Sequence, residues 1–385
     1  MRIAAQLLDY CRANEAWLLD TIEALVRLES PTSDKAAIDQ CGVELAKRME
    51  AIGGRVSRID VSSAGDHLRA EFGEGPRQVL LLGHFDTVWD VGQLERMPLR
   101  RDGDRLCGPG IFDMKAGISI ALLATRALFE TALQSAPRIV MLWTTDEETG
   151  SRTSRALLET EAARSDAVLV LEPALPGGAL KTSRKGCGEY DVVVHGVPAH
   201  AGVDPSKGVS AIRELARQIL AIETLQDFER GVSLNVGIIE GGSRVNVVAE
   251  QARARVDARA PTRADAERID AAMRGLTPHL PGARLEITGG FGRPPMERTA
   301  GVARLYELAQ EAGRELGIDV KEGSTGGGSD GNFCAALGVP TLDGLGAPGD
   351  GAHALDEHVI VPELASRAAL VATLLTKLAG QNRRS

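Results

Sequence analysis

The sequence predicts an α/β protein whose central sheet is mostly parallel and carries helices on both faces. Continuous apolar segments such as "QVLLLGH" and "AVLVLEP", typical of fully buried strands, alternate with segments of helical periodicity over residues 1–185. Over residues 186–295 the predicted strands and helices follow a different pattern, the β-α-β-β-α-β order of ferredoxin-like units. We therefore expect two domains: a discontinuous one over 1–185 and 296–385, and one inserted into it over 186–295.

The elements of the first domain follow from periodicity and from turn residues. The N-terminal segment "MRIAAQLLDYCRANEAWLLDTIEALVRLESPTS" carries acids throughout, so it predicts an amphipathic helix rather than a signal peptide. The helix "IDQCGVELAKRMEAIG" follows, and "RVSRIDV" and "HLRAEFG" alternate as strands do. Buried strands are then predicted at "QVLLLGH", "RIVMLWTTDEE" and "AVLVLEP", separated by the helices "AGISIALLATRALFETAL" and "SRTSRALLETEAARS".

The inserted domain and the C-terminal segment follow the same rules. Strands are predicted at "EYDVVVHG", "VSLNVGIIEGG", "RVNVVAEQARARVDARA" and "RLEITGG", with helices at "GVSAIRELARQILAIETL" and "ADAERIDAAMRGLTPHL". After Pro295 we expect the helix "GVARLYELAQEAGRELGI", a glycine-rich loop, the short strand "GVPTLDGLG" and the closing helix "ELASRAALVATLLTKLAG".

Composition excludes several classes of protein. A formal charge of -9 and an aromatic fraction of 3% argue against a nucleic-acid partner and an anionic membrane surface. No segment approaches the roughly 18 apolar residues of a membrane span. The five cysteines are scattered without a CxxC pair, which indicates reduced thiols and a cytoplasmic location.

Polar side chains capable of binding metal follow the apolar strands. In open α/β sheets, ligands bind beyond the carboxyl ends of the strands. Any one of these residues alone has an ordinary structural explanation, such as a helix cap. Crowded at one sheet edge, however, their carboxylates would repel one another unless divalent cations were bound. The residues at strand ends are His84, Asp86, Asp146, Glu147, Glu148 and Glu172, and Gly/Pro-containing loops add Asp113 and His353.

Residue types and charge favour two zinc ions. If Asp113 bridges, each metal receives one histidine, one terminal glutamate and the shared aspartate, with positions open for water or hydroxide. Three carboxylates and one hydroxide balance the charge of two Zn²⁺. Mixed nitrogen and oxygen ligands without thiolate suit zinc, or Co²⁺ as an alternative, better than magnesium. The predicted ligands are His84, Asp113, Glu148, Glu172 and His353.

Seven motifs carry a family resemblance. "GHFDTV", "GPGIFDMKAG", "TTDEETGS", "LEP", "AHAG", "GGGSDGN" and "GAHALDEHV" occur in this order along nearly the whole chain. With them the sequence resembles the co-catalytic zinc carboxypeptidase/deacylase family, which includes bacterial glutamate carboxypeptidase, acetylornithine deacetylase, succinyl-diaminopimelate desuccinylase and the aminoacylases. "GGGSDGN" alone is a weak signal, and it is not a phosphate loop because no GK[ST] follows.

The resemblance implies a division of the metal ligands. His84 and Glu172 look like ligands of one zinc, Glu148 and His353 look like ligands of the other, and Asp113 looks like the bridge. It also implies a cis peptide bond between Asp113 and Met114.

Two further residues of the strand ends receive catalytic roles. Glu147 looks like the general base, which takes a proton from water activated at the metals and passes it to the leaving amine. If the chain is extended there, the side chains of Glu147 and Glu148 diverge, so that only Glu148 faces a metal. Asp86 lies two residues after His84, and we expect it to accept the imidazole N–H and orient the ring without touching zinc.

The inserted domain contributes residues by resemblance alone. His200 matches a histidine that reaches the partner subunit's site and polarises the scissile carbonyl, which implies a homodimer formed through a lid domain. Asn246 matches an asparagine that assists it. Arg293 matches an arginine that grips the substrate carboxylate, as a guanidinium fork suits, although a surface role is equally open to an arginine at a domain hinge. For Lys181, Arg184 and Lys185 the sequence favours neither a cleft role nor plain solvated charge.

The expected activity is zinc-dependent hydrolysis of an amide bond that releases a C-terminal amino acid, as in glutamate carboxypeptidase. The alternative is an N-acyl-amino-acid deacylase of the acetylornithine deacetylase or aminoacylase type. A metal-free binding scaffold is disfavoured because every implied ligand is present, and a simple dizinc aminopeptidase because it would not need the inserted module. The substrate, a small peptide or an N-acyl amino acid, remains open.

Overall fold

A computed structural model describes residues 2–75, 77–131 and 136–380. The chain divides into two compact units. The first comprises Met1–Thr182, Arg298–Ser324 and Ser329–Ser385, and the second comprises Ser183–Glu297 and Thr325–Gly328. The short Thr325–Gly328 segment, which lies within the predicted glycine-rich loop, thus groups with the second unit.

The first unit is built on a six-stranded mixed sheet. Its central strand, Gln78–His84, is buried throughout and runs parallel to Arg138–Thr144 on one side and to Ala167–Val170 on the other. Parallel strands buried on both faces require continuous apolar runs, which explains the sequence texture. In order across the sheet the strands are Arg55–Ile59, His67–Phe72, Arg138–Thr144, Gln78–His84, Ala167–Val170 and Thr341–Leu342. The first two strands are antiparallel to their neighbours, so the sheet is mixed at that edge.

Helices cover this sheet, and the most buried of them is Ala116–Glu130, whose side chains are almost all inaccessible. The N-terminal segment, predicted as one helix, is broken at Asn14, whose backbone leaves helical geometry and whose side chain bonds to the Tyr10 carbonyl. The helices of this unit are Arg2–Ala13, Glu15–Arg27, Lys35–Ala51, Gln93–Arg96, Ala116–Glu130, Arg155–Ala163, Ala300–Leu316, Gly331–Ala336 and Val361–Ala379.

The first unit also contains a small sheet of four short strands. In order, its strands are Gly349–Asp350, His358–Ile360, Arg105–Cys107 and Arg100–Asp102. Two loops extend from it, one over residues 108–115 and one over residues 351–357. These loops carry Asp113 and His353, two of the predicted metal ligands.

The second unit has a four-stranded antiparallel sheet in the spatial order Ser233–Gly241, Gln251–Ala260, Gly186–His195 and Arg284–Arg293. Its helices are Ala211–Glu223 and Arg263–Arg274. In Gln251–Ala260 alternate residues are buried, which is the pattern of a sheet packed on one face only. The boundary between the units falls within two further strands, Leu180–Arg184 and Glu322–Thr325.

One strand prediction in this unit is wrong in its length. The strand predicted from "RVNVVAEQARARVDARA" begins only at Gln251. The preceding residues bond to another loop instead, because the Val248 N–H donates to the Ala199 carbonyl and the Ala201 N–H donates to the Asn246 carbonyl. Tertiary contacts therefore override the alternating pattern there.

Among the described residues, no helix combines the length and the apolar character needed to cross a membrane. All five cysteines are free thiols.

Candidate metal centre and active site

His84 ends the central strand and faces two carboxylates. Its ring is buried, with Nε2 lying 3.3 Å from Asp113 Oδ1 and 3.4 Å from Glu172 Oε1. The other ring nitrogen, Nδ1, lies 3.1 Å from the Asp86 carbonyl oxygen and 3.3 Å from Asp86 Oδ1. An Nδ1–H donated to Asp86 leaves Nε2 as a free lone pair directed at the two carboxylates.

Glu172 follows the neighbouring parallel strand. The helix that begins at Ala116 approaches this strand end so closely that a Cβ on Gly117 would lie 2.0 Å from the Leu171 carbonyl oxygen. Only glycine fits at that position. The glycine of "DMKAG" therefore allows the loop that carries Asp113 to lie against the end of the strand that precedes Glu172.

Asp113 lies on a loop held by a residue that sequence reasoning missed. The Glu357 carboxylate accepts hydrogen bonds from the backbone N–H groups of Gly110, Phe112 and Asp113, at 2.9, 2.8 and 3.0 Å. The indole of Trp89 donates to the same carboxylate. Glu357 is present in the motif "GAHALDEHV", but only the fold shows what it binds. The Asp113–Met114 peptide is cis, as the resemblance implied.

The second carboxylate–imidazole group forms around His353. Its Nε2 lies 3.3 Å from Asp113 Oδ2 and 3.3 Å from Glu148 Oε2. His353 has a φ of 61°, a left-handed conformation that turns the loop back toward Asp113 and that non-glycine residues seldom adopt. About half of its side chain is exposed, whereas Glu148 and Asp113 are largely buried.

These residues form two potential ligand groups that share Asp113. One group is His84, Asp113 and Glu172, and the other is Asp113, Glu148 and His353.

The donor atoms fit a pair of divalent cations. Two ligands that bind one tetrahedral ion at about 2.0–2.2 Å are separated by about 3.3–3.6 Å, which matches the nitrogen–oxygen distances of both groups. Asp113 Oδ1 and Glu148 Oε1 are buried, and neither has a hydrogen-bond partner among the described residues. Buried carboxylate oxygens without a donor are costly, and a bound cation would satisfy them.

The electrostatics of the two groups favour positive charge. Burial disfavours a charged imidazole, yet the neighbouring carboxylates, Asp113 foremost, raise the pKa of His84 well above its usual value. Asp113 and Glu148 raise the pKa of His353 to about 10. Without metal the cluster would thus retain protons, which bound cations would displace.

Asp86 does more than orient His84. Its two carboxylate oxygens accept the N–H groups of Glu147 and Glu148, at 3.4 and 3.2 Å, and Oδ2 also accepts the Thr32 hydroxyl at 2.8 Å. The strand before these glutamates ends at Thr144, and Glu147–Thr149 forms a single 3-10 turn. The prediction of an extended chain was therefore wrong, but in a 3-10 turn consecutive side chains still point in different directions.

His200, Asn246 and Arg293 all lie in the second unit. The loops of His200 and Asn246 are adjacent, because Val247 pairs with His200 in an isolated bridge. Arg293 ends its strand opposite Cys187, and a Cβ on Gly328 would lie 3.2 Å from Arg293 Cδ.

Arg184 and its neighbours bond to backbone carbonyls. The buried Arg184 guanidinium donates to the carbonyls of Gly327 and Gly328, both at 3.1 Å. The Lys185 N–H donates to the Thr325 carbonyl, and the Lys181 N–H to the Asp343 carbonyl. Burial of Arg184 argues against plain solvated charge for this residue, and a role of its charge in a cleft stays a prediction.

The mixed α/β fold and the paired carboxylate–imidazole groups define a metal-dependent hydrolase. The chain belongs to Peptidase family M20/M25/M40, whose profile matches residues 80–377. It is 32% identical over 375 residues to carboxypeptidase G2 of Pseudomonas sp. (strain RS-16), covering 94% of this chain and 89% of that one.

Other relatives broaden this picture. A succinyl-diaminopimelate desuccinylase of Xanthomonas oryzae pv. oryzae is 28% identical over 383 residues, with 94% of this chain and 98% of that one covered. The solved aminopeptidase PepT of Bacillus cereus superposes with a TM-score of 0.80 at 25% identity, covering 95% of this chain and 99% of that one. The family therefore includes both peptidases and deacylases.

Proposed function

We propose that this enzyme hydrolyses an amide bond and releases a C-terminal amino acid, as a glutamate-carboxypeptidase-like enzyme with two zinc ions. The observation that carries the proposal is the pair of carboxylate–imidazole groups sharing Asp113. Glu147 precedes the potential ligand Glu148 on a turn whose backbone N–H groups donate to Asp86. The similarity to carboxypeptidase G2 supports this direction of cleavage.

In this proposal five residues hold the metals and Glu147 moves the proton. Two zinc ions, when bound, supply Lewis acidity that polarises a carbonyl and lowers the pKa of water. The Glu147 carboxylate takes a proton from the attacking water and delivers it to the leaving nitrogen. Asp86 holds the Glu147 backbone in place and orients the His84 ring. The metal-holding residues are His84, Asp113, Glu148, Glu172 and His353.

We further propose that Arg293 binds the substrate's terminal carboxylate with its guanidinium fork, since such pairs are bidentate. His200 and Asn246, on adjacent loops, would contact the scissile carbonyl and polarise it.

We also propose a homodimer formed through the second unit, which acts as the lid. Strand Ser233–Gly241 is an edge strand, and it exposes Ile238 and Ile239. The helix Ala211–Glu223 exposes Ile212 and Leu220. Edge strands and exposed apolar side chains are surfaces that a second copy can cover. A cytoplasmic location stays a prediction.

A hydrolysis screen of peptidyl and N-acyl amino acids with varied C-terminal residues tests the proposed function. We expect release of the C-terminal amino acid from substrates with a free carboxylate. Arg293→Ala should raise KM for these substrates by about 10–100-fold, the equivalent of losing a charge-assisted hydrogen bond of about 1.5–3 kcal/mol. The matched control is the same substrate with a C-terminal amide, on which wild type and variant should act equally and poorly.

Two outcomes would redirect the proposal. If the hydrolytic rate depends on the acyl group of the substrate but not on its C-terminal residue, the deacylase alternative is favoured. The similarity to desuccinylases supports that alternative. Equal KM values for Arg293→Ala and wild type on carboxylate substrates would remove Arg293 from the binding site.

Subunit mixing tests the dimer and His200 together. His200→Ala and Glu147→Gln are each expected to be nearly inactive. Co-refolded in equal amounts, half of the dimers are mixed, and each of these has one complete site if His200 acts across the dimer. Activity should then return to about one quarter of the wild-type value, as expected for a two-fold dimer. Continued inactivity of the mixture, with dimers demonstrated by sedimentation, would contradict action across the interface.

A further inference from the structure

The motif "GGGSDGN" contains a buried carboxylate that the proposed chemistry does not use. Asp330 precedes the helix Gly331–Ala336 and is 2% exposed. Its Oδ2 accepts the Thr144 hydroxyl at 3.1 Å, and its Oδ1 accepts the Ser151 hydroxyl. A carboxylate buried to this degree is costly unless hydrogen bonds compensate it.

The two hydroxyls bracket the segment that carries the general base. Thr144 is the last residue of its strand, and Ser151 follows the turn Glu147–Thr149. Asp330 therefore binds both ends of this segment with a single carboxylate. The Asp86 carboxylate, in turn, accepts the N–H of Glu147. The segment that carries the base is thus bound by two buried carboxylates from different parts of the chain.

The backbone at Ser151 indicates that its hydroxyl matters. Ser151 has a φ of 57° and is fully buried. Glycine adopts this left-handed conformation without steric cost, whereas for serine the conformation is sterically unfavourable. The Ser151 N–H also donates to the Asp146 carbonyl at 2.8 Å, closing the turn. What serine adds to the turn is the hydroxyl that reaches Asp330.

We propose that Asp330, through the hydroxyls of Ser151 and Thr144, is a positioning residue that sets the place of Glu147 for proton transfer. This inference rests on the proposed function, in which Glu147 is the general base. A misplacement of about 1 Å at a reacting group can cost about 100-fold in rate. Loss of the Asp330 contacts should therefore appear in kcat rather than in substrate binding.

The same region offers a matched control. Asp343 is also fully buried, and it accepts the Ser329 hydroxyl at 2.7 Å and the Gly344 N–H. Ser329 lies next to Asp330, so Asp343 stabilises the same end of the helix, but these bonds lead away from the Glu147 turn. Asp343→Asn measures the cost of altering a buried carboxylate here while the side chains of Asp330, Ser151 and Thr144 stay unchanged.

The test compares Asp330→Asn, Ser151→Gly and Asp343→Asn in the dimetal enzyme. We expect Asp330→Asn and Ser151→Gly each to lower kcat by about 10–100-fold, with KM and metal content within about twofold of wild type. Their double variant should be little worse than either single one, because both break one contact. Asp343→Asn should lower the melting temperature but leave kcat within about threefold.

A second background separates positioning from general destabilisation. In the Glu147→Gln background, Asp330→Asn should cause no further fall in kcat, since no base remains to be positioned. The inference is overturned if Asp330→Asn and Asp343→Asn lower kcat equally, or if the effect of Asp330→Asn persists undiminished beside Glu147→Gln. Should Asp330→Asn fail to fold, Ser151→Gly decides the matter by the same criteria. A Glu147→Gln enzyme of normal rate would instead contradict the proposed function itself.

Discussion

Glu147→Gln is expected to lower kcat by about 10²–10⁴-fold, the usual contribution of a general base. Glutamine has nearly the same shape, and the backbone N–H of residue 147 can still donate to Asp86. The turn, the neighbouring Glu148 and the metal content should therefore be retained. Steady-state assays on a substrate from the hydrolysis screen measure kcat, and metal analysis of the same preparation measures the metal content per chain.

Glu148→Gln is the matched neighbour for this prediction. It changes the adjacent side chain by the same chemistry, but Glu148 lies 3.3 Å from His353 in one potential ligand group. We expect this variant to lose metal affinity as well as rate. If Glu147→Gln loses metal while Glu148→Gln keeps it, the roles assigned to the two glutamates are reversed.

Asp113→Ala is expected to remove both metals. Its Oδ1 lies beside His84 and its Oδ2 beside His353, so a single substitution removes one ligand from each group. Loss of residues that only support metal ligands costs about 10–100-fold in affinity, so loss of a shared ligand should cost more. Activity should fall below detection at stoichiometric metal.

Two controls make this prediction specific. Glu172→Ala affects only the group around His84, so it should retain about one metal per chain. Asp102→Ala changes an exposed aspartate and should retain two metals and full activity. Retention of two tightly bound metals by Asp113→Ala would contradict a bridging role.

The parts of the site that depend on strand order could be predicted from the sequence. His84 and Glu172 directly follow apolar runs, and parallel pairing places the ends of those runs side by side. Asp113 and His353 lie on loops, whose paths periodicity does not specify, so residue type and charge balance predicted them as ligands, whereas the family resemblance supplied their assignment to particular metals. The cis peptide after Asp113 likewise had no signal in composition or periodicity.

Two supporting carboxylates, Glu357 and Asp330, could not be predicted, because their partners are distant in sequence. Glu357 binds the backbone at Asp113, 244 residues away, and Asp330 binds Ser151, 179 residues away. From the sequence alone, an acidic residue in a loop is expected to be a solvated charge. Only the fold shows that it is buried beside hydrogen-bond donors. The break at Asn14 was missed for a different reason, since apolar periodicity continues on both sides of it.

Metal titration of the wild-type protein, after its metal has been removed with a chelator, is the decisive measurement. The protein is stripped with chelator, dialysed, and titrated with Zn²⁺ while bound metal and hydrolytic rate are followed in the same samples. We predict that the stripped enzyme is inactive and that the rate rises to its maximum as about two equivalents bind, as two ligand groups require. Full activity in the metal-free protein would contradict the two-metal mechanism, and so would a maximal rate reached at one equivalent with no second ion bound.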